Sequence, residues 1–457
     1  MALWFETALT DEGWINGARI THRDGVIVGV AAGARPTPGD ERGGIALPGL
    51  CNVHSHAFQR GMAGLAETRG TAATGEGADS FWTWREVMYR FLDRLGPDEV
   101  EAVAALAYME MLEAGFTRVG EFHYLHHAPD GAPYAAPAEM AGRIAAAAAA
   151  TAIGLTLLPV FYAHGGFGGA APSGAQRRFI NTLDTYARLV EDSRAAVAPL
   201  GDAVVGVAPH SLRAATPAEI TRVRSLAAGA PVHIHIAEQA REVAECRALN
   251  GAPPVAWLYD QVAVDATWCL VHATHVSARE RSAIVASGAV AGLCPITEAD
   301  LGDGLFPAGP FMAEGGAIAV GSDSNVRIDA AGELRLLEYG QRLTGRARNV
   351  LASPARPSTG GRLFEAALAG GARALGVAAP GLRPGASLDL VSLDAGHPSL
   401  AGRRGDALLD GWVFAVAAGA VDGVWRGGRK VVEEGRHVAR REIVARYRGV
   451  LATVLAQ

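Results

Sequence analysis

The sequence predicts an α/β protein, a (β/α)8 barrel carrying a small β-sandwich domain built from both chain ends. Three observations point there. Eight short apolar runs recur through the middle of the chain, each followed by a helical pattern. Polar and ionisable residues come directly after most of those runs. Both ends of the chain show instead the two-residue alternation and glycine turns of hairpins.

Taken in order, residues 1 to about 46 alternate as strands and hairpins, in Trp14–Ile20 and Asp24–Val30. The apolar runs are Ile45–Val53, Thr117–Phe122, Leu155–Phe161, Ala203–Ala208, Val232–Ile236, Thr267–Val271, Ala289–Leu293 and Ala317–Val320. Runs without alternation fit strands buried on both faces, which means a parallel sheet between helices. Eight of them fit one closed barrel of about 250 residues. The apolar stretch Ile144–Ala163 resembles a membrane span only in length. It is mostly alanine and contains Gly154 and Pro159, so it reads as a helix ending near Gly154 and then a buried strand. The β pattern returns in Ser387–Leu393 and Val421–Val432, and Arg441–Leu455 predicts a closing amphipathic helix. The expected division is 1–46 and 381–457 for the small domain and terminal helix, with 47–380 as the barrel. Arg69–Asp79 and Gly165–Gly174 read as loops.

Composition narrows the class. Of 457 residues, 49% are hydrophobic and 19% charged, which excludes general disorder. A net charge of −6 argues against a nucleic-acid or anionic-membrane partner. Cys51, Cys246, Cys269 and Cys294 are far apart with no CxxC, so neither a disulfide framework nor a thiolate zinc site is expected. That usage suits a reducing, cytoplasmic compartment. Met1-Ala2-Leu3-Trp4 offers no secretory signal. The expected assembly is a homodimer.

In a barrel the C-terminal strand ends converge on one mouth. His54 and His56 follow the first run, Glu121 and His123 the second, His210 the fourth, His235 and Glu238 the fifth, His272 the sixth and Asp323 the eighth. His54 and His56, at i and i+2, project to one side of a strand and can share a metal ion. In Val232-His233-Ile234-His235-Ile236-Ala237-Glu238, His235 is the expected ligand, nearer the strand end, and His233 a buried hydrogen-bonding residue. Asp323 adds an anionic oxygen, although an aspartate there also fits a helix cap. Three imidazoles and a carboxylate make an N3O site for one divalent metal, zinc first and iron second.

The residues Leu47–Leu50 before His54-Ser55-His56, with His235, Glu238, His272, Asp323 and Leu382–Val391, resemble the amidohydrolase superfamily. Within it the chain is similar to the formimidoylglutamate deiminases, through His54–Gly64, Phe81–Glu86, Gly120–His127, Ala208–Arg213 and His233–Gln239. A binuclear relative with a carbamylated lysine is excluded, because the single lysine, Lys430, lies outside the expected barrel. The resemblance implies deimination of N-formimidoyl-L-glutamate to N-formyl-L-glutamate and ammonia, in histidine degradation. Hydroxide formed at the metal would attack the formimidoyl carbon. Asp323 would take the proton, Glu238 would serve as general acid and base, and His272 would hydrogen-bond the tetrahedral centre. Arg85 and Arg213 suit the two substrate carboxylates, since guanidinium pairs with carboxylate through two hydrogen bonds. The family also places Gln59, Tyr124 and His210 in the pocket. Asp300 stands where relatives carry asparagine, and its charge would oppose an anionic substrate. The alternatives are a mononuclear deaminase of a purine, pyrimidine or triazine ring, which would want aromatic stacking instead of cations, and a non-catalytic scaffold, which would have lost ligands.

Overall fold

The computed structural model describes residues 1–69 and 79–456. The chain opens with β1 (Ala2–Thr10), β2 (Gly13–Arg23), β3 (Val26–Ala31) and β4 (Glu41–Pro48). The barrel strands follow: β5 (Leu50–Ser55), β6 (Phe116–His123), β7 (Gly154–Phe161), β8 (Val204–Val205) with β9 (Ala208–Pro209), β10 (Val232–Ile236), β11 (Trp268–His272), β12 (Val290–Leu293) and β13 (Ala317–Val320). Neighbours pair in parallel in the orders β5-β6-β7-β8 and β10-β11-β12-β13. Single bridges join the two arcs, Ser55 to Asp323 and Val207 to Val232. The result is a closed (β/α)8 barrel whose strands are almost wholly buried. Among the described residues, no helix is long and apolar enough to cross a membrane.

The C-terminal part adds β14 (Leu390–Leu393), β15 (Val421–Arg426), β16 (Arg429–Glu433) and β17 (Arg436–His437). They join the N-terminal strands in one sheet, ordered β17-β16-β15-β14-β4-β1-β2-β3. The junction is antiparallel, with Leu390 opposite Pro48 and Leu393 opposite Ile45. Leu3, Phe5, Ile20, Ile27, Leu388 and Trp425 form a separate apolar core under this sheet. The closing helix runs Arg440–Ala456.

Two runs divide where the sequence suggests continuity. Ile45–Val53 is two strands in two sheets, parted at Gly49, where a Cβ would stand 2.2 Å from the Thr117 side chain. Apolarity cannot mark that break, because both halves are buried. Ala203–Ala208 is interrupted as the chain changes neighbours: Gly206 N–H donates to Leu157 O and Val207 N–H to Pro231 O. The β-rich stretch Val421–Val432 is a hairpin that turns at Gly427-Gly428, in keeping with the sequence pattern. The expected loop Arg69–Asp79 falls, at 70–78, outside the described residues. The loop at Gly165–Gly174 holds a short 3-10 turn, Phe167–Gly169.

Among the described residues two α-helices separate β5 from β6, α1 (Phe81–Leu92) and α2 (Pro97–Glu113). Only α2 is needed for the crossover. Ser80 caps α1 by accepting from Trp82 N–H, and α1 presents Phe81, Trp84, Arg85, Met88 and Tyr89 to the barrel mouth.

Candidate active site

The floor of the mouth is built from the ends of β5, β10, β11 and β13. His54 Nε2 lies 3.1 Å from His56 Nε2, 2.9 Å from His235 Nε2 and 3.4 Å from Asp323 Oδ1. His56 Nε2 lies 3.3 Å from the same Asp323 oxygen. Ligands about 2.0–2.1 Å from a tetrahedral zinc stand roughly 3.3 Å apart, so these separations suit a cation at their centre. His56 Nδ1 donates to Phe122 O at 2.9 Å, which leaves the Nε2 lone pair facing the cluster. With each Nε2 unprotonated, these lone pairs and the carboxylate oxygen would repel one another, and a cation among them would relieve that repulsion. Burial lowers the His54 pKa to about 3 and also lowers those of His56 and His235. Neutral imidazole is the form that binds a metal. Burial would raise the Asp323 pKa, but the hydrogen bond to His54 and the nearby imidazoles hold it below the usual range.

His272 borders this cluster. Donor atoms of His54, His235, His272 and Asp323 all lie within 4.8 Å of one another. Its Nδ1 faces Glu298 Oε1 at 3.2 Å, and its Nε2 is 3.8 Å from Asp323 Oδ2. Burial disfavours a charged His272, yet the hydrogen bond to Glu298, with Glu238 and Asp323 nearby, raises its pKa to about 10. Glu298 is itself fixed by Cys294 N–H at 2.8 Å. His272, Asp323 and Ala237 have φ of 67°, 47° and 51°. Such left-handed conformations cost about 1–3 kcal/mol each in residues other than glycine and cluster at functional sites.

Above the floor the walls turn polar. Glu238 is buried, its backbone held by Glu242, which accepts from Ala237 N–H and Glu238 N–H. Burial raises the Glu238 pKa, against the opposing pull of His272 and Arg213. Arg213 Nη2 stands 3.8 Å from Glu238 Oε2. Gln59 Nε2 donates to Tyr124 Oη at 3.0 Å, and His210 Nδ1 is 3.1 Å from Ser211 Oγ. Burial and then Arg213 keep His210 neutral. His56, Gln59, Arg85, Tyr124, His210, Arg213, His235, Glu238, His272 and Asp323 line one cavity, and His54 lies fully buried beneath it.

The remaining candidates fall elsewhere. His233 Nε2 hydrogen-bonds Ala374 O at 2.7 Å, within the barrel. Asp300 is exposed on the helix Pro295–Leu301, and its neighbour Leu301 lines the cavity instead. Lys430 pairs with Glu41 at 2.9 Å in the small sheet. Sequence reasoning missed Glu298, Tyr162, Phe179 and the apolar face of α1. For α1 a signal existed: Phe81, Trp84, Arg85, Met88 and Tyr89 repeat at helical spacing along one face.

This barrel, with its histidine-rich mouth, matches the amidohydrolase family over residues 45–431. The chain belongs to that family. Residues 2–44 match a second description, the N-terminal domain of formimidoylglutamate deiminase HutF. A formimidoylglutamate deiminase of Pseudomonas aeruginosa is 50% identical over 99% of each chain. A 5-methylthioadenosine/S-adenosylhomocysteine deaminase of Natronomonas pharaonis is 26% identical over 88% of this chain and 84% of its own. Among solved structures, an amidohydrolase from Brucella melitensis superposes with a TM-score of 0.95 at 53% identity, covering 99% of both chains. An adenosine deaminase from Xanthomonas campestris with bound zinc shares the fold, with a TM-score of 0.80 at 21% identity over 100% of this chain and 98% of its own.

Proposed function

We infer that the protein is a formimidoylglutamate deiminase, hydrolysing N-formimidoyl-L-glutamate to N-formyl-L-glutamate and ammonia in histidine degradation. The observation that carries this reading is the 50% identity to the Pseudomonas aeruginosa enzyme along 99% of both chains. The cavity supports it chemically. The substrate has two carboxylates at one end and a largely cationic formamidine at the other. Arg85 and Arg213 suit the first, and Glu238 suits the second.

In this proposal His54, His56, His235 and Asp323 hold one divalent metal, zinc before iron. Such a cation supplies Lewis-acid polarisation and makes a water acidic enough to attack near neutral pH. Asp323 receives the proton that the attacking water loses. Glu238 anchors the formamidine nitrogen and delivers a proton to it as the C–N bond breaks and ammonia leaves. His272, held by Glu298, donates toward the oxygen of the tetrahedral centre. Gln59, Tyr124 and His210 orient the substrate by hydrogen bonds. The arginines make a ring-deaminating role the weaker reading.

We also propose a division of labour between 47–380 as the catalytic unit and 1–46 with 381–457 as its support. The buried free cysteines support a reducing, cytoplasmic setting, and size-exclusion chromatography with light scattering tests the homodimer. The decisive experiment incubates the zinc-loaded enzyme with N-formimidoyl-L-glutamate and follows the products by NMR. N-formyl-L-glutamate and ammonia are expected; formamide and glutamate would move the cleavage to the other C–N bond.

A further inference from the structure

We propose that Trp82 is a positioning residue for carboxylate recognition, its indole ring holding Arg85 and Arg213 ready for the substrate. The inference rests on the formimidoylglutamate reading. Arg85 Cζ lies 4.6 Å from the Trp82 ring centroid and Arg213 Cζ 5.8 Å. A third guanidinium, that of Arg241, is also 4.6 Å away. These cations come from α1, from the segment after β9, and from the helix Ala240–Asn250. One ring thus gathers like charges from three separate parts of the chain.

The reason lies in what each arginine lacks. Among the described residues Arg85 has no carboxylate within 4.0 Å; Arg213 has only Glu238 within that distance, with Glu242 acting from farther off, and its buried Nε has no partner. Mutual repulsion and side-chain entropy would scatter such long side chains. A carboxylate would hold them in place, but it would consume the N–H donors that the substrate needs. An aromatic face attracts the cation through its quadrupole, and a guanidinium lying over it keeps its in-plane donors free. Trp82 does not itself line the cavity, so it acts through the arginines. Arg241 differs from the other two: it is exposed and paired with Glu245 at 2.7 Å.

The test compares Trp82→Leu and Trp82→Phe with the wild type as zinc-loaded full chains. Substrates are N-formimidoyl-L-glutamate and N-propylformamidine, which has no carboxylate. Cation–π contacts of this kind correspond to about 3- to 30-fold in affinity. Trp82→Leu is expected to raise KM for formimidoylglutamate by that factor, with kcat within about twofold. Turnover of N-propylformamidine should hold, and Trp82→Phe should recover most of the loss. Equal losses on both substrates, or a phenylalanine variant no better than leucine, would overturn the proposal in favour of a packing role. Glutarate binding by calorimetry separates this from the parent reading. If the wild type does not turn over formimidoylglutamate but Trp82→Leu still weakens glutarate selectively, the reaction assignment fails and the ring's role stands. An unchanged glutarate affinity sinks the role. Should Trp82→Leu not fold, Trp82→Met is read by the same comparisons.

Discussion

Glu238, the proposed general acid and base, stands 3.8 Å from Arg213 Nη2 and within the electrostatic reach of His272. Burial raises its pKa, while His272 and Arg213 pull it back. We expect Glu238→Gln to keep its metal and lose about 10²–10⁴-fold in kcat, because the amide preserves shape without shuttling a proton. Metal analysis and steady-state turnover on one preparation check this; near-normal kcat would make the residue a binding group. Arg213 calls for a different comparison. A desolvated carboxylate deprived of its charged partner costs about 2–5 kcal/mol, and methionine keeps much of the arginine stem's bulk. Arg213→Met should therefore cut kcat/KM on formimidoylglutamate far more than on N-propylformamidine. Parallel losses on the two would assign Arg213 to the scaffold. Residues of this kind were legible in the sequence because ionisable groups after buried runs share one phase. Glu298 was not. Its link to the site is a hydrogen bond with His272, across a distance in sequence that no local pattern encodes.

At the scale of elements, the proposed metal ligands depend on how β5 and β13 close the barrel. Asn52 Nδ2 donates to Ser322 Oγ at 2.6 Å, Ser322 Oγ to Asn325 Oδ1 at 2.6 Å, and Asn325 Nδ2 to Ser55 Oγ at 3.1 Å. His56 N–H donates to Asp323 O and Asp323 N–H to His54 O, each at 2.9 Å. The proposed ligands on the two strands are thereby tied together. Gly321 makes the close approach possible: a Cβ there would lie 2.7 Å from His54 N and 2.9 Å from His54 Cβ. Gly321→Ala should push His54 away and weaken metal retention at least tenfold, measured by competition with a chelator, while far-ultraviolet circular dichroism stays native. Unchanged retention would mean that the strands yield without moving the ligand. Most barrel strands were readable as apolar runs. The break at Gly49 was not, because burial continues across it and only the proximity of Thr117 distinguishes the glycine. The added helix α1 was visible only as an aromatic segment, and its place over the mouth comes from packing.

Across the whole molecule, four donor groups converge on one point, and the single lysine sits far away in the small sheet. We expect one tightly held divalent metal per chain at full activity, measured by elemental analysis; two per chain would contradict the cluster. Removing it with a chelator should lower Tm by several degrees, since a ligand bound only by the folded state stabilises that state. Calorimetry of the apo and reloaded protein checks this, and an unchanged Tm would mean that the donors are content without a cation. The joined sheet sets a timetable for folding. Strand β4 has β1 on one side and receives β14 on the other. During synthesis at about 5–20 residues per second, that second edge waits tens of seconds for its partner to emerge. Meanwhile its backbone groups are an open template for another strand. The newborn chain therefore carries an aggregation risk that ends only when Leu390–Leu393 closes the edge. A strand made late thus protects one made early.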